Sequence, residues 1–226
     1  MLTPETTPTA IESGSSDAER VAPLVILVVI GTTREGRFSE RVAAWALSRL
    51  QAAADQDVRF NALDLREHPL PFFDGPGPAK SPRAYASEAV ERLGRLVDRA
   101  DAFIVLTADY NHGYPAVLKN AMDWLFAEWR RKPISFVGWG SVGGANAIEQ
   151  LRAVAVGFEM APLRHAVHIM PDVMTRAREA ADESLAFAAL EPRLRVLADD
   201  LLWWARALRT ARRTSEAPCL LGSATL

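Results

Sequence analysis

Short unbroken apolar runs alternate along this chain with longer stretches whose apolar residues recur every three or four positions, the patterns of buried strands and one-sided helices respectively. The first run, residues 24–30, stops at Gly31; beyond the polar loop 31–39 a helix follows, with Ser39 placed to cap it and Val42, Ala43, Ala46, Leu47 and Leu50 on one face. Residues 58–65 give a second strand, the proline-rich stretch 68–82 a long surface loop, and residues 85–100 a helix with Ala89, Leu93, Leu96 and Val97 inward. A third strand over 102–107 leads through a polar turn to Pro115. There a helix predicted to run to about Arg131 carries the stripe Tyr114, Val117, Leu118, Ala121, Met122, Leu125, Phe126 and Trp129, with Trp124 outside it. A fourth strand over 133–137, a glycine-rich turn over 138–144 and a helix with Ala147, Ile148, Leu151, Val154 and Ala155 on one face repeat the unit. A fifth strand over 163–169 and a last helix from Pro192, with Leu194, Leu197, Leu201, Ala205 and Leu208 inward, complete the pattern.

Five strands alternating with helices predict an α/β fold: a doubly wound parallel sheet with right-handed crossovers and helices on both faces. In the strand order 2-1-3-4-5 the ligand crevice opens between strands one and three, at their C-terminal ends. The loops after strands one, three and four are the richest in glycine and polar side chains, and they would meet there. No linker composition interrupts the middle of the chain, so residues 21–212 are expected to form one domain. Residues 1–20, rich in Thr, Ser, Pro and acidic side chains, are expected to be a disordered extension, and residues 213–226 a flexible tail.

Composition narrows the function classes. With 49% hydrophobic and 24% charged residues and a formal net charge of −2, the chain is of ordinary globular make-up and has no basic excess to favour nucleic acid or anionic membrane as a partner. The most apolar run, residues 21–30, is too short to span a bilayer and lacks the basic flank and cleavage site of a signal peptide. A single cysteine, Cys219, argues against a disulfide framework or a thiolate metal cluster and points to a reducing, cytoplasmic compartment.

Residues 31–38 begin as a P-loop does, with two glycines five positions apart. Arg37 and Phe38, however, stand where that pattern needs Lys and a magnesium-binding hydroxyl, so triphosphatase chemistry is not expected. The loop is either a solvated turn with two surface arginines or the cradle of a phosphate monoester. For the latter it offers helix N-terminal amides, the hydroxyls of Thr32, Thr33 and Ser39, and the guanidinium groups of Arg34 and Arg37. Asp109, Tyr110, Asn111, His112 and Gly113, at the end of a buried strand, are either an ordinary turn or a ligand loop. Gly138-x-Gly140-x-x-Gly143 matches a dinucleotide fingerprint, but only one strand follows it and no acidic residue ends that strand at the required distance. Its glycines either let backbone lie against a flat ligand or make a tight packing turn. There is no nucleophile elbow or zinc-protease helix; His68, His112, His165 and His168 lack metal-ligand spacing, and the last two read as structural residues of strand five. No metal site and no catalytic acid, base or nucleophile is expected, which favours a cofactor that carries the chemistry itself.

Taken together, these stretches resemble the NADPH-dependent FMN reductase family, flavodoxin-like enzymes that include quinone, azo-dye and chromate reductases. Gly31-Thr32-Thr33-Arg34-Glu35-Gly36-Arg37 is similar to the family's Gly-Ser-x-Arg phosphate loop, residues 107–124 to its Thr-Pro-Glu-Tyr-Asn turn and helix, and residues 138–144 to its glycine-rich third loop. Leu70-Pro71-Phe72-Phe73-Asp74 is similar to the loop after its second strand, and the likeness extends over residues 24–208. The sequence departs from the pattern at Thr32, where Ser is commoner, and at Ala108 and Asp109, where Pro and Glu are usual.

The resemblance implies FMN phosphate held by Thr32, Arg34, Arg37 and Ser39, with Phe38 in the same loop, and a flavin ring edged by Asp109, Tyr110, Asn111, His112 and Gly113 and flanked by Gly140, Ser141, Gly143 and Gly144. It further implies NADPH or NADH as reductant, a quinone, azo, flavin or similar small acceptor, and a ping-pong route through one site. The alternatives are a reductase supplying reduced flavin to a partner monooxygenase and a non-enzymatic electron-transfer module. Family members are usually homodimers or homotetramers built on the helix after the Tyr-Asn turn. Trp124, with Phe126, Trp129 and Trp139 close by, is expected to lie in such an interface.

Overall fold

The computed structural model describes residues 22–75, 85, 87–180 and 183–214. The expected N-terminal extension, all but the first two residues of the expected C-terminal tail and the later part of the 68–82 loop lie outside them. The five strands are β1 (Leu24–Ile30), β2 (Val58–Asp64), β3 (Ala102–Ala108), β4 (Pro133–Trp139) and β5 (Ala161–Ile169). They pair in the order β2-β1-β3-β4-β5, every pair parallel, as the hydrophobic pattern predicts. All seven residues of β3 and of β4 are buried, which is why those segments read as unbroken runs rather than as alternations.

Successive side chains of β1 feed two separate cores. Ile26, Val28 and Ile30 join one with α1 (Ser39–Ala52), α5 (Pro171–Glu179), α6 (Glu183–Phe187) and α7 (Glu191–Thr214). Leu27 and Val29 join the other, with α2 (Glu88–Arg99), α3 (Ala116–Asp123) and α4 (Ala145–Gly157). Helices therefore cover both faces of the sheet. Two of them, α5 and α6, lie where no helix was expected: the dense charges of α5 leave only Val173 and Ala177 buried on it, and α6 has only five residues; Pro171 at the first helical position of α5 and Asp172 beside it were the available signals.

Several boundaries move, each for a local reason. β4 continues through Gly138 and Trp139 because both pair with β5 and with β3, and β5 begins at Ala161 opposite Pro133. α2 starts at Glu88, where Ser87 caps it by accepting the Val90 N–H. α7 opens one residue earlier than expected and runs to Thr214, so residues 213 and 214 are helical.

The largest correction concerns α3, which ends at Asp123 instead of near Arg131. Beyond it the chain turns tightly. The Glu128 carboxylate accepts the Phe126 N–H at 3.3 Å and the Trp129 indole donates to the Met122 carbonyl at 3.2 Å, which satisfies groups that a longer helix would have paired. Leu125, Phe126 and Trp129 stay buried in these turns, so the helical spacing of apolar residues outlasts the helix. Trp124 is off the stripe for a different reason than expected. Its ring meets Phe73 edge-on at 5.0 Å and its indole N–H donates to the Pro71 carbonyl at 2.9 Å, so it fastens the loop after β2 to the domain. Trp124, Phe126, Trp129 and Trp139 are 6%, 9%, 3% and 4% exposed. The aromatic surface expected to face a second subunit is therefore interior.

At the start of α4, Gly144 has φ +76°, and a Cβ there would lie 2.7 Å from backbone atoms of Gly138 and Trp139. The helix can approach β4 this closely only because the residue has no side chain. Gly144→Ala is expected to lower unfolding stability in urea by more than about 2 kcal/mol. Gly157→Ala, whose Cβ would meet nothing within 4 Å, should raise it by up to about 1 kcal/mol; equal effects would refute the crowding at Gly144. Trp124→Ala should cost about 3–5 kcal/mol as the truncation of a buried aromatic. A loss under about 1 kcal/mol would return the indole to the surface.

Candidate functional site

Because all strands run one way, the loops after β1, β3 and β4 emerge at the same edge of the sheet. The first leaves β1 at Gly31, whose N–H still pairs with the Leu106 carbonyl at 2.9 Å, and ends at Phe38, the N-cap of α1. Ser39 is thus the first helical residue and not the cap, and its buried hydroxyl accepts a hydrogen bond from Thr32 Oγ1 at 2.7 Å. Among the described residues, no acceptor takes the backbone N–H groups of residues 33–38. They gather at the N-terminus of a 14-residue helix, whose dipole favours an anion there.

The two arginines of this loop have different environments. Arg34 is exposed, and its guanidinium lies 5.4 Å from the centroid of the Tyr110 ring, so the first and second loops meet. Arg37, expected as a phosphate ligand, is 6% exposed and turned inward. Its Nε donates to Glu40 at 3.1 Å, and Nη1 and Nη2 donate to the two carboxylate oxygens of Asp64, the last residue of β2. Nη1 also donates to the Thr32 carbonyl. The bond to Asp64 outweighs the desolvation of Arg37 and raises its pKa. Burial alone would raise the Asp64 carboxyl, but the Arg37 bond, the Arg66 amide and the neighbouring positive charges together hold it below the usual carboxylate value. The pair is therefore fully ionised around neutrality.

The second loop follows β3. Asp109 N–H continues the sheet onto the Trp139 carbonyl at 2.9 Å. Tyr110 and Gly113 then exchange both backbone hydrogen bonds across Asn111 and His112, which have φ of +52° and +66°. Two positive-φ residues at the centre of a two-residue hairpin are the mark of a type I′ turn, and Asn is well suited to it. The Gln150 amide of α4 donates to the His112 carbonyl and braces the turn. Tyr110, Asn111 and His112 are exposed on it, while Asp109 Oδ2 is buried without a hydrogen-bond partner. Pro115 serves as the N-cap of α3 rather than its first residue.

The third loop is shorter than expected, since Gly138 and Trp139 belong to β4. Gly140 sits against Asp109, and Ser141 is exposed. A Cβ on Gly143 would come within 2.9 Å of His168 Cβ and Met170 Sδ, so the protein's own packing already requires a glycine at this position. His168, on β5 as expected, reaches the Gly143 carbonyl through Nδ1 at 3.0 Å.

The fold thus brings Thr32, Arg34, Phe38, Ser39, Asp109, Tyr110, Asn111, His112, Gly113, Gly140, Ser141, Gly143 and Gly144 to one edge, where Arg37 is buried in its pairing with Asp64. Two residues of this neighbourhood went unnoticed in the sequence. Asp64 could have been found from its place at the end of the strand beside β1. Arg178 of α5, stacked 5.1 Å from the Phe38 ring centroid, left no signal because its helix was not anticipated.

Residues 24–173 match the family model described as NADPH-dependent FMN reductase. An NAD(P)H-dependent FMN reductase of Schizosaccharomyces pombe is 37% identical over 131 residues, which are 58% of this chain and 64% of that protein, just under two thirds of its length. One of Saccharomyces cerevisiae is 32% identical over 141 residues, 59% of this chain and 74% of that protein. Among solved structures, a flavoenzyme NAD(P)H:(acceptor) oxidoreductase from Paracoccus denitrificans shares the fold with a TM-score of 0.62 at 23% identity, over 81% of this chain and 98% of that one. With two thirds of its length under the family model and the family's three loops at one edge of a flavodoxin-like sheet, the chain belongs to the NADPH-dependent FMN reductase family.

Proposed function

We propose that the protein transfers hydride from NADPH or NADH to FMN seated across the C-terminal ends of β1, β3 and β4, and passes two electrons on to a quinone, azo, flavin or similar small acceptor. The observation that carries this reading is the run of amides at the start of α1 that no acceptor among the described residues takes, in the same loop as an exposed Arg34 that lies against the Tyr110 ring. The fit is supported further by the buried, unpartnered oxygen of Asp109 beside Gly140. When bound, FMN supplies the hydride chemistry, so the chain has to bind, orient and polarise.

In this reading the amides of residues 33–38, the Ser39 hydroxyl and Arg34 hold the phosphate. The Tyr110–Gly113 hairpin, fixed by its own hydrogen bonds and by Gln150, presents Asn111 and His112 to the edge of the ring, and Asp109 Oδ2 accepts a hydrogen bond from a ligand N–H. The open face over the third loop serves reductant and acceptor in turn, a ping-pong scheme. The proposal includes a homodimer or homotetramer that uses a surface other than the tryptophan cluster, and a cytoplasmic setting in keeping with the single cysteine. No helix of the described residues is long and apolar enough to cross a membrane.

Two measurements test the reading. The purified protein should show a flavin absorbance spectrum that bleaches on anaerobic titration with NADPH, and its steady-state double-reciprocal plots should be parallel. Loss of FMN on gel filtration with turnover retained would favour delivery of reduced flavin to a partner monooxygenase, and bound FMN without turnover would leave an electron-transfer module. Arg34→Ala should weaken FMN by about 1.5–3 kcal/mol, the worth of a hydrogen bond to a charged group, while riboflavin affinity stays within about twofold. Equal losses for the two flavins would remove Arg34 from the phosphate site.

A further inference from the structure

Arg37 is the cation of the first loop that the chain has already neutralised. Arg66 stands 3.6 Å from Glu40, so two guanidinium groups, Arg37 and Arg66, face two carboxylates, Asp64 and Glu40, and the cluster offers no net charge to a ligand. What Arg37 does offer is geometry. Its Nη1 donates to the Thr32 carbonyl, and in a planar trans peptide the C=O and the following N–H point to opposite sides. No described peptide is cis, so holding the Thr32 carbonyl inward turns the Thr33 N–H outward, away from Arg37, where no acceptor in the described chain takes it. In parallel, the Thr32 and Ser39 hydroxyls are hydrogen-bonded at 2.7 Å, which ties Thr32 to the first residue of α1. Both contacts involve one residue, Thr32, and Arg37 sets its position from an anchor on another strand.

We propose that Arg37 is a positioning residue for phosphate recognition: clamped by Asp64 at the end of β2, it fixes the Thr32–Thr33 peptide so that the Thr33 amide faces the FMN phosphate, and it does not touch the phosphate itself. The inference rests on the reading that this loop takes the phosphate of FMN. It gives Asp64, whose charge has the same sign as the ligand's, a favourable part in binding that ligand. It also makes Lys a poor substitute at position 37, since a single ammonium cannot grip both Asp64 oxygens and the Thr32 carbonyl in one planar fork.

Asp64→Asn separates positioning from direct contact by the sign of its effect. If Arg37 bound the phosphate, removing a nearby carboxylate would free the guanidinium and tighten FMN. Under the positioning scheme the loosened clamp weakens FMN. Dissociation constants for FMN and riboflavin, read from quenching of flavin fluorescence at fixed salt, should show Asp64→Asn and Arg37→Lys each weakening FMN about tenfold, the loss of one charge-assisted hydrogen bond, with riboflavin changed less than about threefold. Tighter FMN binding in Asp64→Asn would overturn the proposal, as would equal losses for the two flavins, the sign of a general structural role. Should Asp64→Asn not fold, Thr33→Pro removes the amide without altering Arg37 or Asp64: selective loss of FMN supports the scheme and unchanged FMN affinity refutes it. A wild type that binds FMN no more tightly than riboflavin would instead remove the phosphate reading of the loop, and this inference with it.

Discussion

A parallel sheet buried on both faces imposes the rest of this structure. Its central strands β1, β3 and β4 are buried almost throughout, so polar chemistry gathers at strand ends and in the loops, and since all strands run one way the loops of one kind share one edge. The order β2-β1-β3-β4-β5 then decides which loops are neighbours. β1 and β3 lie side by side at the centre, and the helices that follow them, α1 and α3, pack on opposite faces. The chain parts between them, and the space that opens is where Arg34 and Tyr110 come together. None of these residues needs a special device to find the others, because the topology delivers them.

What the topology does not provide is rigidity, and the loops obtain it in three ways. The first is tied across strands by an ion pair from Arg37 to the end of β2. The second closes on itself through a hairpin whose two central residues accept positive φ, a strain usually carried at sites where a fixed shape matters more than local stability. The third is pressed so tightly between β4 and β5 that side chains are excluded at Gly143 and Gly144. Rigid loops lose little entropy when they receive a ligand, so what they cost in folding is recovered as affinity.

Most of the architecture was legible in the sequence because burial on two faces leaves an unambiguous trace. Residues 24–30 and 102–106 are apolar throughout, and the stripes on α1, α4 and α7 point inward as their spacing indicates. Spacing reports burial and not backbone conformation, however. Leu125, Phe126 and Trp129 kept a helical period in a stretch of turns, and Trp124 fell outside the stripe without reaching the surface. At the site, residue type located the loops but could not say what each charge faces. Arg34 and Arg37 are three positions apart and look alike in sequence, yet one is exposed and the other is consumed by a carboxylate 27 residues further along. Only the pairing of β1 with β2, Ile30 opposite Asp64, reveals that partner.

The family match stops at residue 173, but the core does not. Phe187 stacks on Trp45 at 4.8 Å and reaches Phe38 beside the first loop, and Leu194, Leu197, Leu201 and Ala205 of α7 lie in the same cluster as Val137, Trp139, Val167 and Ile169 of the sheet. Without the chain beyond residue 173, the face of β4 and β5 that α7 covers would lie open, an apolar expanse of the kind that drives chains to associate. The segment after residue 173 is thus a structural wall of the same core, and changes in it can be felt at Phe38, one residue from the start of α1.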